Sequence, residues 1–303
     1  MPARPCSCVP QTIWDYACQK RVSIDVSSSF LTIRHFSSRK TNYGIMKEHY
    51  FSADEFDLEE GVMTMEYTIR PLPPFDFFKM LQRISSTGKT SCAYIDAAAQ
   101  TYRRQLRIND KIATMEVTFQ GEADQPVLHL RVPQKLSYNE QNEVVNLARR
   151  MFSIDTDLHK FYNHLSQIEA LKPLIEPNYG LRLILDPTLF ECLMKTIISQ
   201  QLNLAFAGTL IDRLIQLCAN VAGHSDSASS DACSSESDLL PFPTPEQTAA
   251  LSYDQLRELG FSQRKAEYVI DTARLIAEGA LDLEGLRRKP EEEVMETLLP
   301  IRG

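Results

Sequence analysis

No uninterrupted apolar run in the sequence approaches the about 20 residues of a membrane-spanning helix. Hydrophobic residues make up 43% of the 303 residues and charged residues 24%, as in ordinary globular proteins. The chain is long enough for two domains, each with its own hydrophobic core. We therefore expect a two-domain protein that has no contact with a membrane.

Cysteine is scarce, and its seven occurrences include no Cys-x-x-Cys pair. An odd number of scattered cysteines is typical of a reduced cytoplasmic chain. Cys6, Cys8 and Cys18 lie near one another, but no ligands at zinc spacing follow them. His159 and His164 are five residues apart and do not share a helical face. The sequence therefore predicts neither a metal site nor a cofactor.

Positive charge is also in short supply. The 32 Lys and Arg against 40 Asp and Glu give a net charge of −8. Contacts with nucleic-acid phosphates need Lys and Arg, so the composition argues against broad, non-specific coating of nucleic acid. It leaves room for a local basic patch on an acidic protein.

The first 45 residues show no sustained hydrophobic periodicity and contain runs of serine and arginine. Three interpretations are open: an organelle transit peptide, a disordered tail, or translated upstream sequence that precedes a true start at Met46. We expect residues 1–58 to be a disordered or spurious tail.

The sequence predicts a small α+β domain at residues 59–135. Short segments rich in β-forming residues alternate with turn residues, and the turn from Ile108 to Lys111 favours antiparallel pairing of its two neighbours. The predicted elements are strands at 62–69, 102–108, 113–119 and 127–132 and a helix at 75–84.

Residues 136–303 predict an all-helical domain that opens with a capping box at Ser137 and Glu140. Asp186 before Pro187 is expected to cap the helix that ends at Ser199. Asn203 is expected to cap the next helix, whose apolar stripe runs through Ala207, Leu210, Ile211, Leu214, Ile215 and Cys218.

A run of Ser, Asp and Ala then interrupts the pattern. It cannot bury enough apolar surface to order itself, and we expect a disordered insertion at 222–240. Thr244 and Gln247 form a further capping box after it. Helices are predicted at 252–259, 262–278 and 290–299.

Five short segments follow one another in an order that resembles the helix-hairpin-helix DNA glycosylases, in particular the bacterial 3-methyladenine DNA glycosylase II type. They cover most of residues 67–303. The segments are Pro73-Pro74-Phe75-Asp76, Ser199-Gln200-Gln201, Phe242-Pro243-Thr244-Pro245, Leu259-Gly260-Phe261-Ser262 with Arg264-Lys265-Ala266, and Leu299-Pro300-Ile301-Arg302-Gly303.

This resemblance implies that the protein extracts a damaged base from the DNA helix before cutting its glycosidic bond. Gln201 would fill the gap, with Gln200 and Ser199 supporting it; alternatively, the glutamines only cap two helix ends. Gly303 would be the first glycine of a phosphate-binding hairpin or merely a helix stop. Arg302 would contact a phosphate or lie free in solvent.

The resemblance implies hydrolysis of the N-glycosidic bond of alkylated purines such as 3-methyladenine, with no cofactor. The expected catalytic aspartate would lie beyond Gly303, so no catalytic residue is named and we expect a catalytically incomplete fragment. An 8-oxoguanine-type glycosylase and a non-catalytic DNA-binding remnant are the alternatives. The expected partner is double-stranded DNA with alkylated bases, bound by a monomer in the bacterial cytoplasm at the nucleoid.

Overall fold

The computed structural model of the chain describes residues 22–27, 30–35, 47–52, 56–57, 62–85, 91–221 and 239–301. Strands dominate up to Ser137 and helices follow it. The α+β class predicted from the sequence is thereby confirmed. The predicted domain boundaries stay a prediction.

One antiparallel sheet contains the nine strands of the described residues. The strands are β1 (Val22–Ser27), β2 (Phe30–His35), β3 (Lys47–Ser52), β4 (Phe56–Asp57), β5 (Val62–Ile69), β6 (Ala93–Asp96), β7 (Thr101–Ile108), β8 (Lys111–Glu122) and β9 (Gln125–Ser137). Their order in the sheet is β1-β2-β3-β5-β9-β8-β7-β6, and β4 also pairs with β5.

The four predicted strands are present, and the hairpin between β7 and β8 pairs Ile108 with Lys111 as expected. Asn109 takes a positive φ of 50° in its turn, a conformation that Asn tolerates better than most residues. Strand β6 was not predicted, since its four residues are too few to show an alternating pattern.

Strands β1 to β4 lie within residues 1–58, for which the sequence predicts a disordered or spurious tail. That assignment stays a prediction. Val22, Ile24 and Val26 alternate with polar residues, which is the period of a strand. The pairing of β1 with β2 places Ile24 opposite Ile33. A six-residue alternation becomes a strand here because a neighbouring strand supplies its hydrogen bonds.

Ten α-helices lie in the described residues. They are α1 (Phe77–Ser85), α2 (Tyr138–Met151), α3 (His159–Leu165), α4 (Lys172–Ile175), α5 (Leu189–Ser199), α6 (Leu204–Val221), α7 (Pro245–Ala249), α8 (Tyr253–Glu258), α9 (Gln263–Ala277) and α10 (Glu291–Leu298). Short 3₁₀ turns occupy Glu169–Leu171 and Glu284–Arg288.

The predicted capping boxes at Ser137 and Thr244 are confirmed. The expected cap at Asp186 is wrong, because the Thr188 hydroxyl accepts the hydrogen bond from the Glu191 amide at 3.1 Å. The Asp186 carboxylate instead accepts from Lys195 Nζ at 2.6 Å. This ion pair leaves the cap of α5 to the threonine nearer the helix.

Two hydrophobic cores organise the molecule. One lies against the sheet under α1 and α2, and the other joins α5, α6 and α9. Helix α6 is apolar enough to span a membrane by length and composition, with a mean hydropathy of 1.3. Its predicted apolar stripe is buried in full, so that helix packs as part of the second core.

The predicted insertion at 222–240 lies outside the described residues except at its end. Leu239 is buried, and the Leu240 amide donates to the Ser91 carbonyl at 2.8 Å. These two residues therefore belong to the folded part of the chain.

The backbone at Gly180 packs directly against the loop before α1. Its φ is +79°, and a Cβ at this position would lie 2.8 Å from the Asp76 nitrogen. The Asp76 amide donates to the Gly180 carbonyl at 2.8 Å, so neither backbone can move without losing this bond.

We expect Gly180→Ala to lower the free energy of unfolding by about 1 kcal/mol through backbone strain and by about 1 to 3 kcal/mol more through the clash. Gly279→Ala is the matched control, since Gly279 has a φ of +74° and open space around the added carbon. Urea unfolding of both variants measures the difference, and equal losses would show that the contact with Asp76 is unimportant.

Candidate nucleic-acid interface

A sharp bend joins α5 to α6 at Ser199, Gln200 and Gln201, which we call the elbow. Ser199 is the last residue of α5, and the Gln200 amide still donates to the Thr196 carbonyl at 3.2 Å. Gln201 then takes a φ of +58°, the left-handed conformation that commonly ends a helix. The chain reverses there because the next amide, that of Leu202, donates back to Ser199 at 3.2 Å.

The side chains of Gln200 and Gln201 are exposed, whereas Leu202 is half-buried and packs against the second core. No hydrogen bond among the described residues involves either glutamine side chain. The α6 cap is Asn203, whose Oδ1 accepts from the Phe206 amide at 2.8 Å. The elbow thus fixes its backbone and leaves the Gln201 side chain in solvent, which favours contact with another molecule over capping.

Two exposed apolar residues beside the elbow were not predicted from the sequence as part of the site. Leu204 is 65% exposed and Phe206 is 41% exposed. Both lie in the first turn of α6, off the buried stripe that begins at Ala207. Their position off that stripe is the sequence signal that marks them as surface residues. They extend the exposed surface around Gln201.

Lys265, in the first turn of α9, binds backbone carbonyls at the elbow and in the last turn of α5. Its Nζ donates to the carbonyls of Ile197 at 3.0 Å and Gln200 at 3.1 Å. Desolvation by burial lowers the pKa of the Lys265 ammonium below its usual value. From the sequence, Lys265 is expected either to lie near DNA or to be a surface lysine without a specific role.

The loop that precedes the helix of Lys265 is itself fixed to α6. Gly260 has a φ of +96°, the Leu259 carbonyl accepts from Arg213 Nη1 at 2.7 Å, and Phe261 is buried. The segment Leu259-Gly260-Phe261-Ser262 therefore sets the start of α9 against the end of α5.

The predicted phosphate contacts at Arg302 and Gly303 lie outside the described residues. Just before them, Ile301 packs against the second core, and its amide donates to the Leu298 carbonyl at 3.0 Å. The roles of Arg302 and Gly303 stay predictions, as do those of Ser199, Gln200 and Gln201.

The opposite end of α5 carries a buried ionic network. Arg104 of β7 donates through Nη2 to both oxygens of Glu191, at 2.5 and 2.6 Å. Lys195 binds Glu191 at 2.5 Å and Asp186 at 2.6 Å. Burial alone raises the pKa of Glu191, but the charges of Arg104 and Lys195 outweigh it and lower the pKa overall. The network anchors the elbow helix to the sheet.

A cavity of about 590 Å³ adjoins this network, between β7, the start of α5 and residues 242–245. Helix α5 has 11 residues, so the cavity and the elbow are about 16 Å apart along its axis. Phe190 and Phe242 line the cavity and meet edge to face at 6.2 Å. It is therefore a feature separate from the elbow.

The described residues offer no group of three or more His, Cys, Asp or Glu arranged to hold a metal ion. Asp254 pairs with Arg257 at 3.1 Å, and Asp271 accepts from the Tyr253 hydroxyl at 2.6 Å. Neither aspartate is assigned a catalytic role.

Two family models match the chain. Residues 64–184 match the AlkA N-terminal domain, and residues 194–298 match the HhH-GPD superfamily base excision DNA repair proteins. The second match includes the elbow and Lys265. The chain is also 33% identical over 232 residues to YfjP of Bacillus subtilis, a protein named provisionally as a DNA-3-methyladenine glycosylase. That alignment covers 76% of this chain and 73% of YfjP.

Two solved structures share the fold. A 3-methyladenine DNA-glycosylase from Archaeoglobus fulgidus matches with a TM-score of 0.61 and 19% identity, over 77% of this chain and 73% of that one. An 8-oxoguanine glycosylase/lyase from Clostridium acetobutylicum, solved with double-stranded DNA, matches with a TM-score of 0.56 and 18% identity, over 82% and 74% of the two chains. At these identities the likeness concerns the fold alone.

Proposed function

The chain belongs to the HhH-GPD superfamily of base excision DNA repair proteins and carries an AlkA N-terminal domain, and from this we propose that it is a DNA-3-methyladenine glycosylase. Its substrate would be double-stranded DNA that contains alkylated purines. The observation that carries the proposal is the similarity to YfjP, which extends over both the sheet domain and the helical domain. The exposed elbow supports it independently.

The first task of such an enzyme is to extract the damaged base from the stack, which costs a few kcal/mol. Gln201 is suited to offset part of that cost, because its backbone is already fixed and only the side chain must be ordered when it enters the vacated space. Leu202 holds the backbone on the inner side, and Leu204 and Phe206 add apolar surface beside it.

The bond-breaking step requires less of the protein than extraction does. Alkylation makes the base cationic, so it is already a good leaving group, and water completes the hydrolysis. We assign no catalytic residue within residues 1–303, and the proposed contribution of these residues is recognition and extraction.

The proposal is tested by the affinity of the 303-residue chain for duplexes that carry a non-cleavable 3-methyladenine analogue, 8-oxoguanine or no lesion. We expect at least tenfold tighter binding to the analogue duplex than to the undamaged one. Preference for the 8-oxoguanine duplex would instead support the oxidised-base alternative. Equal affinity for all three would overturn the glycosylase proposal and leave a non-catalytic DNA-binding protein.

We expect Gln201→Ala to reduce the preference for the analogue duplex about 10-fold, since the lost wedge leaves the gap unfilled, and 1.4 kcal/mol corresponds to a factor of ten. Gln216→Ala is the matched control, because Gln216 is an exposed glutamine on helix α6, which follows the elbow. Fluorescence of 2-aminopurine beside the lesion reports extraction directly. An unchanged preference in the Gln201 variant would contradict the wedge role.

The expected location stays part of this proposal. A monomer acting on chromosomal DNA in a bacterial cytoplasm fits the scattered cysteines, which suit a reducing compartment. Sedimentation of the purified chain with and without duplex DNA would measure its oligomeric state.

A further inference from the structure

We propose that Lys265 is a positioning residue for Gln201, whose ammonium group holds the elbow in the bent conformation that presents Gln201 to the DNA. The inference rests on the proposed function of the elbow. Lys265 itself makes its contacts with the protein backbone, through the carbonyls of Ile197 and Gln200.

The hydrogen bonds at the end of α5 explain why a cation is needed there. An α-helix leaves its last four carbonyls without partners from its own turns. The residue four positions after Ile197 is Gln201, which has left the helix with a φ of +58°. The Ile197 carbonyl accepts from Lys265 Nζ instead. The second bond, to Gln200, fixes the peptide that immediately precedes the bend.

The position of Lys265 in its own helix also indicates that its charge acts at the end of α5. A cation is unfavourable in the first turn of a helix and favourable at the last turn. Lys265 lies in the first turn of α9, yet its ammonium reaches the end of α5, a helix with no basic residue in its own last turn. The electrostatic gain for Lys265 therefore comes from the elbow helix and not from the helix that carries it.

The left-handed conformation of Gln201 adds to the need for support. A non-glycine residue at positive φ is strained and persists only where its surroundings impose it. Leu202 packs on one side of the bend and Lys265 binds the peptides on the other. Without the lysine, the elbow would sample other conformations, and its backbone as well as the Gln201 side chain would have to be ordered on binding.

The first test uses the 303-residue chain without DNA. Hydrogen exchange is measured at the amides of Gln200 and Leu202, whose bonds to Thr196 and Ser199 define the bend. We expect Lys265→Met to exchange about tenfold faster at these amides. Arg264→Met is the matched control, because it removes the same charge from a neighbouring exposed residue. Lys265→Arg, which keeps a cationic donor, is expected to restore slow exchange.

The second test measures the preference for the 3-methyladenine-analogue duplex over the undamaged one. We expect Lys265→Met to lose about as much preference as Gln201→Ala, and the double variant to lose no more than either. Such non-additivity is the signature of two residues that act through one interaction. Additive losses would overturn the inference, because Lys265 would then act on the DNA by itself.

The two tests separate the inference from the function on which it rests. Unchanged exchange in the Lys265 variant overturns the positioning role and leaves the glycosylase proposal standing. If the unsubstituted chain binds the analogue duplex no more tightly than the undamaged one, the proposed function is overturned instead. If Lys265→Met does not fold, Lys265→Gln gives the same comparison with a shorter and uncharged donor.

Discussion

Arg104→Met is expected to lower the free energy of unfolding by about 3 kcal/mol, at the lower end of the 3 to 5 kcal/mol typical of a broken buried ion pair. Arg104 and Glu191 are almost completely shielded from water, with side-chain exposures of 5% and 2%. Removing the guanidinium leaves the carboxylate buried with only Lys195 to balance it. Lys195 is the reason for choosing the lower end of the range.

A double-mutant cycle isolates this effect. Replacing both residues by methionine removes both charges together, and such replacements are often neutral or stabilising. We therefore expect Arg104→Met/Glu191→Met to be more stable than Arg104→Met alone. Arg103→Met is the control on the same strand, since Arg103 binds Glu116 at a partly exposed site and its loss should cost about 1 kcal/mol or less. Equal losses for Arg103 and Arg104 would contradict the importance of burial.

The pH dependence of stability gives an independent check on the network. The folded pKa of Glu191 is lowered from its usual 4.5, because Arg104 and Lys195 outweigh the effect of burial. A lowered carboxyl pKa stabilises the fold above the unfolded pKa, and this stability is lost as the pH falls through the folded pKa. The difference in free energy of unfolding between the parent chain and Arg104→Met should therefore be largest near neutral pH and become smaller below about pH 4.5.

The sequence predicts the helical domain well because its signals are local. The caps at Ser137 and Thr244 depend on residues three positions apart, and the stripe of α6 repeats every three to four residues. The elbow was likewise found from neighbouring residues. The exposed Gln200 and Gln201 lie between buried Ile198 and half-buried Leu202, which agrees with the predicted break between the helix that ends at Ser199 and the helix that Asn203 caps.

The missed features depend on distant residues. Lys265 is 65 positions from the Gln200 carbonyl that it binds, and Arg104 is 87 positions from Glu191. Charged residues are usually exposed, so sequence alone treats both as surface residues. Nothing in the local pattern distinguishes a lysine that supports a neighbouring helix end from one in solvent. Only the packing of α9 against α5, and of β7 against α5, reveals the difference.

Arg182→Met is expected to destabilise the protein by at least about 3 kcal/mol, because several buried carbonyls would lose their donor. Arg182 is 4% exposed and donates to backbone carbonyls of two loops. Its acceptors are Leu72 at 2.6 Å and Pro74 at 3.1 Å in the loop before α1, and Ser153 at 2.5 Å and Thr156 at 2.6 Å after α2. Desolvation by burial lowers the pKa of its guanidinium, and its charge lies 5.4 Å from the Phe75 ring centre.

Besides Arg182, the two loops share a backbone hydrogen bond from the Leu72 amide to the Ile154 carbonyl at 3.0 Å. The loss of Arg182 should therefore loosen the loops as well as lower stability. Arg182→Lys should recover only part of the stability, because an ammonium has three donors and lacks the planar fork of the guanidinium. Arg149→Met is the control for the second loop, since Arg149 binds the more exposed Asp155 and its loss should cost about 1 kcal/mol or less. Urea unfolding measures all three variants. A lysine variant as stable as the parent would show that charge alone, without the five-donor geometry, holds the loops together.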